Sequence, residues 1–69
     1  MTDKIVVTFE SPDGTTTKEI YLELSSYAAS AASGHLNDCI AEATPMVESE
    51  IGSGACVKSI QVNGAAQPR

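Results

Sequence analysis

Ser11-Pro12-Asp13-Gly14 stands between two stretches in which apolar and polar residues alternate. Proline pre-sets φ for a turn, aspartate bonds the backbone that follows it, and glycine accepts a positive φ. Before the turn, residues 4–10 put Ile5, Val7 and Phe9 on one face and Val6, Thr8 and Glu10 on the other. After it, residues 16–24 oppose Ile20, Leu22 and Leu24 to Glu19, Tyr21 and Glu23. A period of two on both arms of a short polar loop predicts an antiparallel hairpin.

The period then changes. Ser25-Ser26 offers a hydroxyl to an orphan N–H of a first helical turn. Ala28, Ala32, Leu36, Ile40, Ala43, Val47 and Ile51 recur every three or four residues, which defines one face of a helix. Unbroken, that helix would be about 36 Å long, too long for strands of this length. Pro45 has no N–H to give and disfavours helical backbone at Thr44, so the break is expected there. The reading is one main helix over 26–43 and a short second helical segment over 45–51, with Thr44 as cap and Pro45 at the first position. Gly34 weakens the main helix by about 1 kcal/mol relative to alanine and admits a kink.

Gly52-Ser53-Gly54 ends the helical region. Residues 55–62 read as a third strand with Ile60 and Val62 inward. Cys56 and Lys58 share their parity, which leaves the strand's first half open to either face. Asn63-Gly64 is a turn signal, and 65–69 is expected as a flexible tail. The order β-β-α-β with a right-handed crossover gives a three-stranded antiparallel sheet, order 2-1-3, with the helices on one face. The expectation is one α+β domain over 1–64, a two-layer sandwich.

Of 69 residues, 42% are apolar, but nine of those are alanine and one is Met1. About seventeen large side chains remain for a core, which is thin even for a small domain. No apolar run approaches the ~18 residues of a membrane span. Met-Thr-Asp-Lys leads directly into a strand with no signal-peptide pattern, so a cytoplasmic protein is expected.

Charge separates the function classes. The chain carries four Lys and Arg against nine Asp and Glu, net −5. Four dispersed cations cannot supply the phosphate contacts that dominate nucleic-acid affinity, and no aromatic is interleaved with them. Between Glu19 and Val57 there are six acids and no Lys or Arg. Asp38, Glu42, Glu48 and Glu50 should therefore give the helical side a one-sign field that favours a protein partner with a basic surface. One helical layer leaves the other sheet face bare, and Val6, Thr8, Tyr21 and Val57 would form a contact patch there. Two open sheet edges and a thin core point to a homodimer by edge pairing or face stacking.

Catalytic and metal chemistries find little footing. His35 and Cys39, one helical turn apart, could bind zinc with Cys56, but no paired ligand motif supports it. Core cysteines fit better. A Cys39 nucleophile with His35 as base lacks an orienting group and an oxyanion site. Gly52 to Ser59 fails the phosphate-loop pattern, because Val57 precedes the Lys-Ser pair and the loop runs from helix into strand. The expectation is a small acidic non-enzymatic interaction module without a cofactor. Its sharper form is an inhibitor covering the basic groove of a nucleic-acid-handling protein, an economy shared with phage anti-defence proteins such as anti-CRISPR proteins. The alternatives are a structural subunit of a larger particle, or a small metal or thiol protein using His35, Cys39 and Cys56.

Overall fold

The computed structural model describes residues 2–67. Strands β1 (Asp3–Glu10) and β2 (Thr17–Leu24) form the expected hairpin. Their register pairs Val7 with Ile20 and Val6 with Tyr21. The loop closes on itself: Ser11 N donates to Thr16 O at 2.8 Å, and Gly14 N donates to Ser11 O at 2.9 Å. The Asp13 carboxylate accepts from the Ser11 hydroxyl at 2.6 Å, the Thr15 hydroxyl at 2.8 Å and Thr15 N at 3.1 Å.

The helical region breaks at Gly34, not at Pro45. Helix α1 (Tyr27–Ser33) starts at Ser26, whose hydroxyl accepts from Ala29 N at 3.2 Å. Gly34 then adopts φ +85°, a left-handed conformation that ends one helix and opens the next. Helix α2 (His35–Ile51) runs straight through Pro45. Proline deprives the Ala41 carbonyl of its helical donor, but Ala41 and Pro45 are both exposed, so water can reach that carbonyl. Continuity instead keeps Leu36 and fully buried Val47 on one core-facing side, with Ile40, Ala43 and Ile51 packed beside them. The predicted stripe is therefore real from Leu36 onward. Ala28 and Ala32 are exposed, because the turn at Gly34 rotates α1 away from α2's register.

The sheet has four strands in the order β2-β1-β3-β4, antiparallel throughout. The class is α+β as expected, and 2-1-3 survives within it. β3 (Cys56–Val62) pairs with β1, and Asn63-Gly64, with φ +53° and +86°, turns the chain into β4 (Ala65–Ala66). Ala65 and Ala66, assigned to a tail by pattern alone, thus pair with Val62 and Gln61. Pro68 and Arg69, also of that tail, lie outside the described residues.

A bulge separates two registers of the β1·β3 pair. Thr8 faces Ser59 but Phe9 faces Val57, so Lys58 is the extra residue. One extra residue exchanges the faces of everything before it. Val57 therefore lies on the inner face with Phe9 and packs against the core, not on the bare face where strict alternation would put it. Cys56 moves the other way and stands opposite Glu10 on the outer face.

The core is small. Ile5, Val7, Phe9, Ile20, Leu24, Leu36 and Val47 are its buried members. A polar knot closes one end and a proline–glycine contact the other. At one, the Asp3 carboxylate accepts from Tyr27 N at 2.8 Å and from the Asn63 amide at 3.2 Å. Asn63 N donates to Lys4 O at 2.7 Å. At the other, Pro12 of the hairpin loop lies under Gly52 and Gly54, where a Cβ on Gly54 would stand 3.3 Å from the proline ring.

Candidate interaction surface

Helix α2 packs on the inner face of the sheet and Tyr27 of α1 joins the same core, so the outer face is made by the even residues of β1 and the odd residues of β2. Val6 and Thr8 are half-buried there, on β1 between β2 and β3. Tyr21 stands directly opposite Val6 and is 73% exposed. Glu23 stands opposite Lys4, and Glu19 opposite Thr8. Toward the open end of this face, Lys4, Val6, Tyr21, Glu23 and Asn63 help to line a shallow groove of about 570 Å³. Three of the four side chains expected on this face are there; Val57 is not.

Lys4 and Asn63 were not singled out from the sequence. Lys4 was legible: the turn at Asp13-Gly14 sets the pairing, and pairing puts Lys4 across from Glu23. Asn63 depended on a long-range contact between the β3–β4 turn and the start of β1, which no local pattern encodes.

The acidic side is less uniform than expected. Lys18 Nζ lies 2.8 Å from Glu50, because Lys18 sits on the inner parity of β2 and reaches the end of α2. Glu48 accepts from Gly54 N at 2.7 Å and so holds the α2–β3 loop. At about 100° per residue, Glu48 and Glu50 project some 160° apart, on opposite flanks of α2. Asp38 and Glu42 project within about 40° of one another, directly away from the core. Neither has an ion pair or side-chain hydrogen bond among the described residues. Asp38 also lies in the first turn of α2, where a carboxylate favours the helix dipole. The four acids do not form one patch, and two of them stabilise the molecule's own end.

His35 Nε2 and Cys39 Sγ are 3.7 Å apart, as the one-turn spacing predicts. Cys39 is partly buried against the core, and Cys56 is exposed. The bulge places Cys56 on the outer face while Cys39 is on α2 at the inner face, so the sheet stands between them. The three cannot share one ion, and no cluster of three or more His, Cys, Asp or Glu with metal-ligand geometry occurs among the described residues.

Among the described residues two carboxyls have lowered pKa values, and both are explained by structural bonds. The Ser11 hydroxyl, then Thr15, holds Asp13 down to about 2. Asp3 is lowered first by the Tyr27 N–H and then by the Asn63 amide. No helix among the described residues is long and apolar enough to cross a membrane. Comparison with protein-family models, curated proteins and solved structures returns no match for this chain.

Proposed function

We propose that this chain is a small non-enzymatic interaction module that meets a protein partner through the outer face of its sheet. The observation that carries the reading is Tyr21, exposed beside Val6 in a groove bounded by Lys4 and Glu23. An exposed tyrosine flanked by charge and backed by an apolar neighbour is the composition of an interface centre. Among the described residues the two lowered carboxyls, Asp13 and Asp3, serve the hairpin loop and the start of α1.

A second reading keeps the acidic inhibitor of a basic, nucleic-acid-handling protein. Its support is narrower than the sequence implied: the outward pair Asp38 and Glu42, and a net charge of −5. The two readings place the contact on opposite sides of the molecule.

Affinity capture from a lysate of the encoding organism separates them. Wild type, Tyr21→Ser and the double variant Asp38→Lys/Glu42→Lys are immobilised side by side, and retained proteins are quantified by mass spectrometry. We expect a partner depleted about tenfold or more by Tyr21→Ser, the scale of losing one interface anchor. Depletion by the double lysine variant alone would transfer the site to α2. Equal retention by Tyr21→Ser would remove the sheet face from the account.

A further inference from the structure

We propose that the free edge of β2 accepts an extended basic segment of a partner protein as an added strand, with Lys or Arg two residues to either side of an apolar residue. The inference rests on the sheet-face reading above and names the partner's chemistry.

Backbone alternation defines the edge. Ser11 N donates to Thr16 O at 2.8 Å, which makes that pair a hydrogen-bonded one. In an antiparallel ladder such pairs alternate with non-bonded ones. Lys18, Ile20, Leu22 and Leu24 thus bond to β1. The N–H and C=O groups of Thr17, Glu19, Tyr21 and Glu23 point the other way, and β2 is the terminal strand of the sheet. The bonds on the far side of β1 agree: Asn63 N donates to Lys4 O at 2.7 Å, so even residues of β1 serve β3.

These same four residues carry the side chains of the outer face, and all four are exposed. A strand that takes the edge bonds therefore sets its own side chains beside Glu19, Tyr21 and Glu23. Carboxylate, phenol ring and carboxylate along one face match cation, apolar group and cation on the incoming strand.

A second copy of this chain is the wrong occupant. In an antiparallel β2–β2 pair the shared outer face would hold Glu19 and Glu23 from each copy and no cation from either strand. Lys18, the one cation of β2, is on the inner face and held by Glu50. Acidic residues on an edge strand ordinarily discourage self-pairing; here they do so while leaving a cationic strand free to bind. Nothing else among the described residues blunts this edge, and β2 contains neither proline nor bulge. The opposite edge is partly covered, by β4 and by Gln67 N donating to Ile60 O at 2.9 Å.

The test uses the full chain, 15N-labelled, titrated at low salt with the capped peptide Thr-Lys-Thr-Val-Thr-Lys-Thr and with its Glu-for-Lys counterpart. We expect shifts and new exchange protection at the amides of Glu19, Tyr21 and Glu23, the three edge residues that the peptide spans. The acidic peptide should bind about tenfold more weakly, the scale of two cross-strand charge pairs. Glu19→Lys/Glu23→Lys should reverse that preference. Glu19→Pro removes an edge N–H that β1 does not use, so it should fold and lose the peptide, whereas Glu19→Gln keeps the N–H and binds within about threefold of wild type. Undiminished binding by folded Glu19→Pro, equal binding of the two peptides, or shifts confined elsewhere would overturn the proposal. A partner still captured through Tyr21 in any of those cases leaves the sheet face standing without the edge. A partner indifferent to Tyr21→Ser removes the sheet face whatever the peptide does.

Discussion

Asp13 shows how much one side chain settles in a chain with a small core. Its carboxylate collects three donors from Ser11 and Thr15 and so fixes the loop that sets the β1·β2 register. Those bonds favour the ionised form and lower its pKa from 3.8 to about 2. A depressed folded-state pKa stabilises the protein above the unfolded value, and that stabilisation is lost as pH falls through the folded one. Asp13 should therefore contribute fully above pH 3.8 and lose its contribution between 3.8 and about 2. Urea midpoints measured across pH 2–6 should fall less steeply in Asp13→Asn, with the remaining slope supplied in part by Asp3, whose shift has the same sign. An unchanged slope would mean that the loop is not organised around Asp13. This loop was readable residue by residue, because its bonds run between neighbours. The knot joining Asp3, Tyr27 and Asn63 was not, because it spans some sixty positions.

At the scale of elements, burial overruled a local rule. Interior proline costs a helix about 3 kcal/mol relative to alanine, and that cost alone predicts a break at Pro45. The chain instead breaks at Gly34, where a φ of +85° suits glycine. A second break at Pro45 would detach Val47 and Ile51 from the stripe that Leu36 begins. With so few large side chains, α2 has no other means of covering the sheet. Pro45→Ala should stabilise the protein by about 1–3 kcal/mol, after allowing for the looser unfolded chain, measured by chemical denaturation with unchanged helix content by circular dichroism. A gain of helix content on substitution would show that the helix ends at Pro45 after all. The face of β3 was ambiguous for a related reason. Lys58 sits on the parity of Ile60 and Val62, and only a bulge reconciles that charge with an apolar inner face. The spacing of Val57 and Ile60, three apart across a lysine, was the one local trace of it.

For the whole molecule, the layout of charge matters more than its sum. Net charge suggested a one-sign helical side, yet Glu48 and Glu50 hold the end of α2 to Gly54 and Lys18. What remains outward is a pair on α2 and a second, separate pair on β2, and only the latter coincides with unpaired backbone. The hairpin, the helical stretch and the bare sheet face were legible because each follows from a period. The coincidence of edge polarity with side-chain polarity was not, because it depends on which residues of a ladder exchange bonds. Amide hydrogen exchange of the free protein at low concentration tests that coincidence most directly. The account predicts alternation along β2, with Lys18, Ile20, Leu22 and Leu24 protected and Thr17, Glu19, Tyr21 and Glu23 exchanging fast. Protection of all eight amides would show the edge already covered and would contradict it.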